Sequence, residues 1–79
     1  MRLISQSGIY DINYERTVIE KDEGYVIALI DGQRYVMGTY SKPGRTEQVM
    51  YRLHRKYNLN SGQGVFKFPK DSEALDVDA

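Results

Sequence analysis

The side chains most often used in catalysis are few in this sequence and widely spaced along it. The chain has no cysteine and one histidine, His54, which excludes a thiolate zinc site and a cysteine nucleophile. A catalytic histidine works with a nucleophile or a carboxylate within hydrogen-bonding distance, and the sequence indicates no such partner for His54. One histidine among scattered carboxylates also lacks the spacing of a metal site. We therefore predict a protein that is not an enzyme and that has no metal or cofactor.

Basic residues are concentrated in the segment YRLHRKY, at 51–57. On a helix, Arg52 and Lys56 are neighbours on one face, and a basic helix can follow a line of phosphates. The sequence therefore permits a nucleic-acid-binding surface made of Arg45, Arg52, Arg55 and Lys56. The zero net charge and the small size of this patch favour the simpler interpretation, a solvated outer face of the helix.

Tyrosine is unusually frequent, with seven residues in a chain of 79. A domain of this size has too thin a core to bury all of them. Tyrosine is a good strand former, and it is also enriched at protein interfaces because it combines a large stiff ring with a polar tip. We predict a partner-binding surface that includes Tyr14, Tyr51 and Arg52.

These residues need a scaffold, and the pattern predicts an α+β fold in which a small antiparallel meander of three to five strands is packed by one amphipathic helix. The turn signals DEG at 22–24, where Gly24 can take positive φ, and DGQ at 31–33 separate apolar or β-branched segments. The segment YVIALI is apolar at every position, which predicts a central strand buried on both faces. The predicted strands are 2–5, 16–21, 25–30, 34–40 and an edge strand at 65–68.

The helix is predicted from its apolar spacing at Thr46, Val49, Met50, Leu53 and Tyr57. Ser41 is the expected cap, Pro43 is tolerable in the first turn, and Asn58, Asn60 and Gly62 end the helix. His54 is expected at the edge of the apolar stripe. Gly38 lies inside a predicted strand, which indicates a bulge or the close approach of another element, and the helix is the natural candidate.

Charge and hydropathy divide the chain into one domain, residues 1–70, and an acidic tail, residues 71–79, that we expect to be disordered. The tail has four acidic residues and no basic one, so the body is weakly basic although the whole chain is neutral. No apolar run approaches the length of a membrane span, and the absence of cysteine fits a reducing compartment. The prediction is a cytoplasmic protein without a membrane partner.

The opening MRLISQSGIYDINYE and the later GTYSKPGRTEQVMYRL resemble a family of small uncharacterised proteins from phages and prophages of Gram-positive bacteria. The resemblance covers about residues 1–55, and its most specific part is Met-Arg-x-Ile-Ser-Gln followed by Gly8 and an Asp-x-x-Tyr-Glu segment, Asp11–Glu15. This sequence departs from the family at Asn13, where proline is common, and at the Pro43-Gly44 pair. The resemblance implies an α+β fold and a mobile-element origin, and it implies no activity.

Three functional hypotheses follow. The first is a protein-binding module that acts on a host or phage protein. The second is a small nucleic-acid-binding or regulatory protein that uses the basic helix face. The third is self-association as a homodimer, because a thin core and exposed strand edges favour pairing between copies.

Overall fold

A computed structural model of the chain describes residues 1–72. It confirms the α+β class: one α-helix and six short strands, which divide between two three-stranded sheets. In chain order the elements are β1 (Arg2–Ile4), β2 (Asp11–Asn13), a 3-10 turn (Tyr14–Arg16), β3 (Val18–Asp22), β4 (Tyr25–Ile30), β5 (Gln33–Thr39), α1 (Arg45–Leu59) and β6 (Val65–Lys67).

The predicted meander forms the first sheet, in the order β3-β4-β5, and both pairings are antiparallel. The turn after β4 has Asp31 and Gly32 at φ 50° and 81°, as the Asp-Gly signal predicts. The turn after β3 differs from expectation, because Glu23, at φ 53°, takes the left-handed conformation. Gly24 is needed for a different reason: a Cβ there would collide with the backbone carbonyl oxygen of Tyr40.

The second sheet joins segments that are distant in sequence, in the order β2-β1-β6. Strand β1 pairs antiparallel with β2 and parallel with β6, so that Leu3 lies between Ile12 and Phe66. The predicted strand at 65–68 is therefore an edge strand, as expected, and its neighbour is the first strand of the chain.

The helix begins later than predicted. Its first residue is Arg45, and the residue before it, Gly44, is in the left-handed conformation at φ 79°. Ser41 does not cap the helix, and Pro43 lies before it, because the chain turns once more at Gly44. The end is as predicted: Asn60 donates its backbone N–H and its side-chain amide to the carbonyl of Lys56.

One hydrophobic cluster contains residues of the helix and of both sheets. The helix contributes Val49 and Leu53, and Thr46 is also buried, while Met50 and Tyr57 are half-buried against the cluster, as the spacing predicts. The remaining members come from the strands, from the residue before β1, and from the chain segments that follow β5 and β6: Met1, Leu3, Val26, Ala28, Met37, Tyr40, Phe66 and Phe68.

Gly38 marks a β-bulge, as predicted, but the element that approaches it is not the helix. The register shifts between Val26 and Ile27, so that Met37 is the extra residue in β5. The ring of Tyr40 lies over Gly38, and a Cβ at this position would be 2.6–2.9 Å from ring and hydroxyl atoms. A glycine is required here because the aromatic ring occupies the space of a side chain.

The segment after β6 is held against the body of the protein. The Pro69 carbonyl accepts hydrogen bonds from the buried Tyr40 hydroxyl, at 2.7 Å, and from the Gln6 amide, at 3.0 Å. The Asp71 carboxylate accepts from the backbone N–H of Ser41, at 2.9 Å, and from its hydroxyl, at 2.8 Å. Asp71, the first residue of the predicted acidic tail, is therefore held by two donors of Ser41. Residues 73–79 of the predicted tail lie outside the described residues.

The polar opening of the chain is a turn, as predicted. The buried Ser5 hydroxyl accepts the N–H of Tyr10 at 3.0 Å, and Gly8 donates its N–H to the Ser5 carbonyl at 2.9 Å. Gln6 donates to the Thr39 carbonyl, and its side-chain oxygen accepts the N–H of Thr39. The opening turn thus fastens the second sheet to the end of β5.

Substitution of Gly38 by alanine tests the contact with Tyr40. We expect G38A to destabilise the fold by about 1–3 kcal/mol, because the new methyl group overpacks the ring. In a Tyr40→Leu background the same substitution should cost much less or become stabilising, since alanine is otherwise preferred to glycine within a strand. Urea unfolding of the four chains of this double-mutant cycle measures the difference. An equal cost in both backgrounds would contradict the contact.

The Asp71 carboxylate provides a pH test of the segment after β6. Hydrogen bonds from the Ser41 backbone and hydroxyl, assisted by the charges of Arg45 and Lys42, hold the pKa of Asp71 below its ordinary value of 3.8. A depressed pKa means that the stabilisation is fully present above pH 3.8 and is lost as the pH falls through the folded-state pKa.

Carbon-detected NMR titration of Asp71 should therefore give a midpoint below 3.8. The Ser41→Ala variant loses the hydroxyl donor and keeps the backbone N–H, so its midpoint should move part of the way back. Ser72→Ala is the matched control and should leave the midpoint unchanged. A midpoint at or above the ordinary value in the unsubstituted chain would rule out the two hydrogen bonds in solution.

Candidate functional site

The structure brings three of the predicted basic residues into one groove between the helix and strand β6. This basic groove has a volume of about 330 Å³, which is at the lower end of the range for ligand sites. Its lining residues are Arg52, Arg55, Lys56, Leu59 and Asn60 from α1, and Val65, Phe66 and Lys67 from β6.

Helical periodicity explains the wall that α1 supplies. Arg52, Arg55, Lys56 and Leu59 follow one another at i, i+3, i+4 and i+7, which places them along one flank of the helix. The buried stripe with Leu53 lies beside this flank, so the three basic residues of the helix are half-buried where they line the groove.

Strand β6 supplies the other wall, and its outer edge is not paired with any strand of residues 1–72. The ladder with β1 uses the Gly64 carbonyl, which accepts from Arg2 at 3.0 Å, and the Phe68 N–H, which donates to Ile4 at 2.9 Å. Because backbone groups alternate in direction along a strand, those of Val65 and Lys67 point away from β1. The groove therefore lies beside backbone donors and acceptors that can accept a further strand.

The groove is strongly asymmetric in charge. Four cations line it, no carboxylate does, and none of the four forms an ion pair with any residue of 1–72. Its apolar lining consists of Leu59, Val65 and Phe66. Cations that are partly withdrawn from water and crowded together favour a negatively charged ligand, because such a ligand relieves their mutual repulsion.

Arg45 does not line this groove, although we predicted from the sequence that it would share a nucleic-acid-binding surface with Arg52, Arg55 and Lys56. It lies in the first turn of α1, about two turns before Arg52. Its Nε and Nη2 atoms are buried and have no hydrogen-bond partner among the described residues. Its positive charge contributes to the low pKa of Asp71. This guanidinium is therefore less available to a ligand than that of Arg52.

The three residues predicted to bind a partner do not form one surface. The half-buried ring of Tyr14 packs against Tyr57, with ring centroids 4.8 Å apart. Tyr57 follows Arg52 by five positions, which places the two on different faces of the helix. Tyr51 is 53% exposed on the outer side, next to Arg52 in sequence. Arg52 is the member of this set that lines the groove.

The Asp11–Glu15 segment has structural partners. Asp11 pairs with Arg2 across the β1–β2 ladder, and both Glu15 oxygens lie 2.8 Å from the amino group of Met1. Asn13 accepts the backbone N–H of Glu15. Hydrogen bonds donated by these cations lower the pKa of both carboxyl groups. The most distinctive part of the opening motif thus holds β1 in place.

Within residues 1–72, the geometry gives little support to a catalytic site at His54, to a metal site or to a second anion site. His54 is exposed on the helix, and no three His, Asp or Glu side chains in this part of the chain are placed to hold a metal ion. A second cavity, of about 250 Å³, lies at the start of α1. Glu23 and Glu47 line it, which disfavours an anion there.

Sequence reasoning missed the contribution of β6 to the groove, above all Lys67 and Val65. The signal that could have found them is the short alternating segment VFKF, but its neighbours in space depend on the parallel pairing of β6 with β1. No local pattern specifies a pairing between the two ends of a domain.

No helix among the described residues is long and apolar enough to cross a membrane. Comparisons of the chain with models of protein families, with curated proteins and with solved structures found no significant match.

Proposed function

We propose that this chain is a non-enzymatic protein-binding module that holds an extended acidic segment of another protein in the basic groove. The observation that carries the proposal is the combination of four cations and an apolar lining beside the unpaired edge of β6. The resemblance of the opening sequence supports a phage or prophage origin, a host or phage protein as the partner, and the bacterial cytoplasm as the place of action.

Backbone geometry favours an extended ligand. A segment that adds to a sheet edge gains main-chain hydrogen bonds, and pockets for alternate side chains give it specificity. The outward N–H and C=O groups of Val65 and Lys67 provide such an edge, and α1 covers one side of it.

The lining favours acidic side chains that alternate with apolar ones. In an added strand, successive side chains point to opposite faces, so one set approaches Arg52 and Lys56 while the backbone follows β6. Arginine can bind a carboxylate through two parallel hydrogen bonds. Leu59 and Val65 offer contacts to aliphatic groups of the ligand. The groove contains no histidine, carboxylate or hydroxyl group, so the proposal assigns it no catalytic step.

Nucleic acid is the second candidate, and it is favoured by the same concentration of cations. The nucleic-acid surface predicted from the sequence consists of Arg45, Arg52, Arg55 and Lys56. If the groove bound nucleic acid, Lys67 would replace Arg45 in this set. Against it, the exposed Tyr51 lies outside the groove, and Phe66 is buried, so the groove lacks a free aromatic ring on which a base could stack. The protein-binding function therefore has the better support.

A peptide titration tests the proposal. The probe is an acetylated and amidated hexapeptide of alternating aspartate and valine, added to the isotope-labelled full chain. We expect the largest amide shifts at Val65–Lys67 and at the end of α1. Lys67→Glu should weaken binding about tenfold or more, because it reverses a charge that faces the ligand.

Two neutral variants of the helix provide the matched control. Arg52→Met should weaken the peptide, whereas Arg45→Met removes the same charge outside the groove and should leave the affinity nearly unchanged. A lysine–valine hexapeptide should not bind. Equal effects of the two arginine variants, or no shift at β6, would refute the protein-binding groove.

An oligothymidine decamer separates the two candidate functions. Phosphate binding weakens steeply as salt rises, in proportion to the number of phosphates contacted. Binding of the decamer with a steep salt dependence, together with no response to the acidic peptide, would replace the first function by the second. Peptide binding with a response centred on β6 would support the first.

A further inference from the structure

The face of the β3-β4-β5 sheet that points away from the core has an unusual composition. The registers align its residues in three rows across the strands. Side chains alternate between the two faces of each strand, and the bulge at Met37 restores the alternation at the end of β5. This outer face consists of Val18, Leu29 and Arg34 in the first row, Glu20, Ile27 and Val36 in the second, and Asp22, Tyr25 and Thr39 in the third.

The apolar residues of the outer face are separate from the core. Val26 and Ala28 belong to the core cluster, but Ile27 between them does not, although it is only 5% exposed. On this face Ile27 lies between Glu20 of β3 and Val36 of β5. At the margins, Val18 is 64% and Val36 is 47% exposed. The central strand is therefore apolar on both faces, while residues 1–72 provide a hydrophobic core on one of them.

We propose that a second copy of this chain covers the outer face, so that two meander sheets pack face to face. This interface lies apart from the basic groove and does not depend on the proposed function. Two sheets that pack in this way keep their strands within about 30° of each other, and a two-fold axis makes the same surface serve both copies.

The charged residues at the margins of the outer face favour a second copy of the chain as its partner, and they favour one direction of the two-fold axis. Glu20 and Asp22 lie on β3 at one margin, Arg34 lies on β5 at the other, and none of them forms an ion pair within residues 1–72. A two-fold axis parallel to the strands places β3 of each copy over β5 of the other. Such an axis keeps each row at its own level, so Arg34 of the second copy lies over Val18, one row along from Glu20. The long arginine side chain can reach the Glu20 carboxylate diagonally, and the Ile27 side chains meet at the centre.

The other in-plane axis, perpendicular to the strands, is disfavoured. It would place β3 over β3, so that Glu20 of one copy faces Glu20 of the other, and like charges in a desolvated contact repel. The outer face is therefore complementary to itself in one arrangement. Binding of an unrelated protein would not require one margin of the outer face to be acidic and the other to be basic.

Sedimentation velocity of the full chain, at two concentrations about a hundredfold apart, tests the dimer, because self-association follows mass action. We expect a concentration-dependent shift from monomer to dimer. Arg34→Glu and Glu20→Arg should each abolish dimerisation, and the double variant E20R/R34E should restore it. These residues are exposed, so circular dichroism should show unchanged folding.

Two further variants complete the test. Val18→Thr combined with Val36→Thr keeps the β-branched shape and removes apolar contact, so it should weaken the dimer. Lys67→Glu, in the basic groove, should leave the dimer intact. A chain that remains monomeric at both concentrations, single charge variants that still dimerise, or a charge swap that fails to restore dimerisation would overturn the proposal.

Discussion

The close contact between the Tyr40 ring and Gly38 is the constraint on which the rest of this small fold depends. The ring can lie over β5 only because residue 38 has no side chain, and its hydroxyl then reaches the Pro69 carbonyl at 2.7 Å. This bond, with that from Gln6, fixes where the chain runs after β6. Because the chain after β6 is fixed in this way, β6 stays beside β1 and Lys67 lies opposite the helix.

The basic groove illustrates how a small domain divides its residues between stability and binding. The apolar stripe of α1 is used by the core, and the adjacent flank carries three cations without internal partners in the described part of the chain. An ion pair inside the groove would reduce their repulsion and also their attraction for a ligand. The acidic residues instead pair elsewhere, as Asp11 does with Arg2 and Glu47 with Lys21.

Local patterns predicted most of the fold. The meander follows from β-branched segments and an Asp-Gly turn, and the helix follows from the spacing of Val49 and Leu53, because in both cases the determining residues are close in sequence. The expected cap at Ser41 was wrong, because Ser41 instead donates to Asp71, thirty positions further along the chain. The groove could not be predicted for the same reason: half of it depends on β6 pairing with β1.

The parallel pairing of β1 with β6 also has a consequence for synthesis on the ribosome. Residues 2–4 acquire their second neighbouring strand only after residues 65–67 have been made, whereas the meander and the helix contain their own partners. The central strand of the second sheet thus has one edge open through most of translation. Contacts of long sequence separation close late and slow folding. A nascent chain stalled before residue 65 would therefore expose a strand edge on which aggregation can begin.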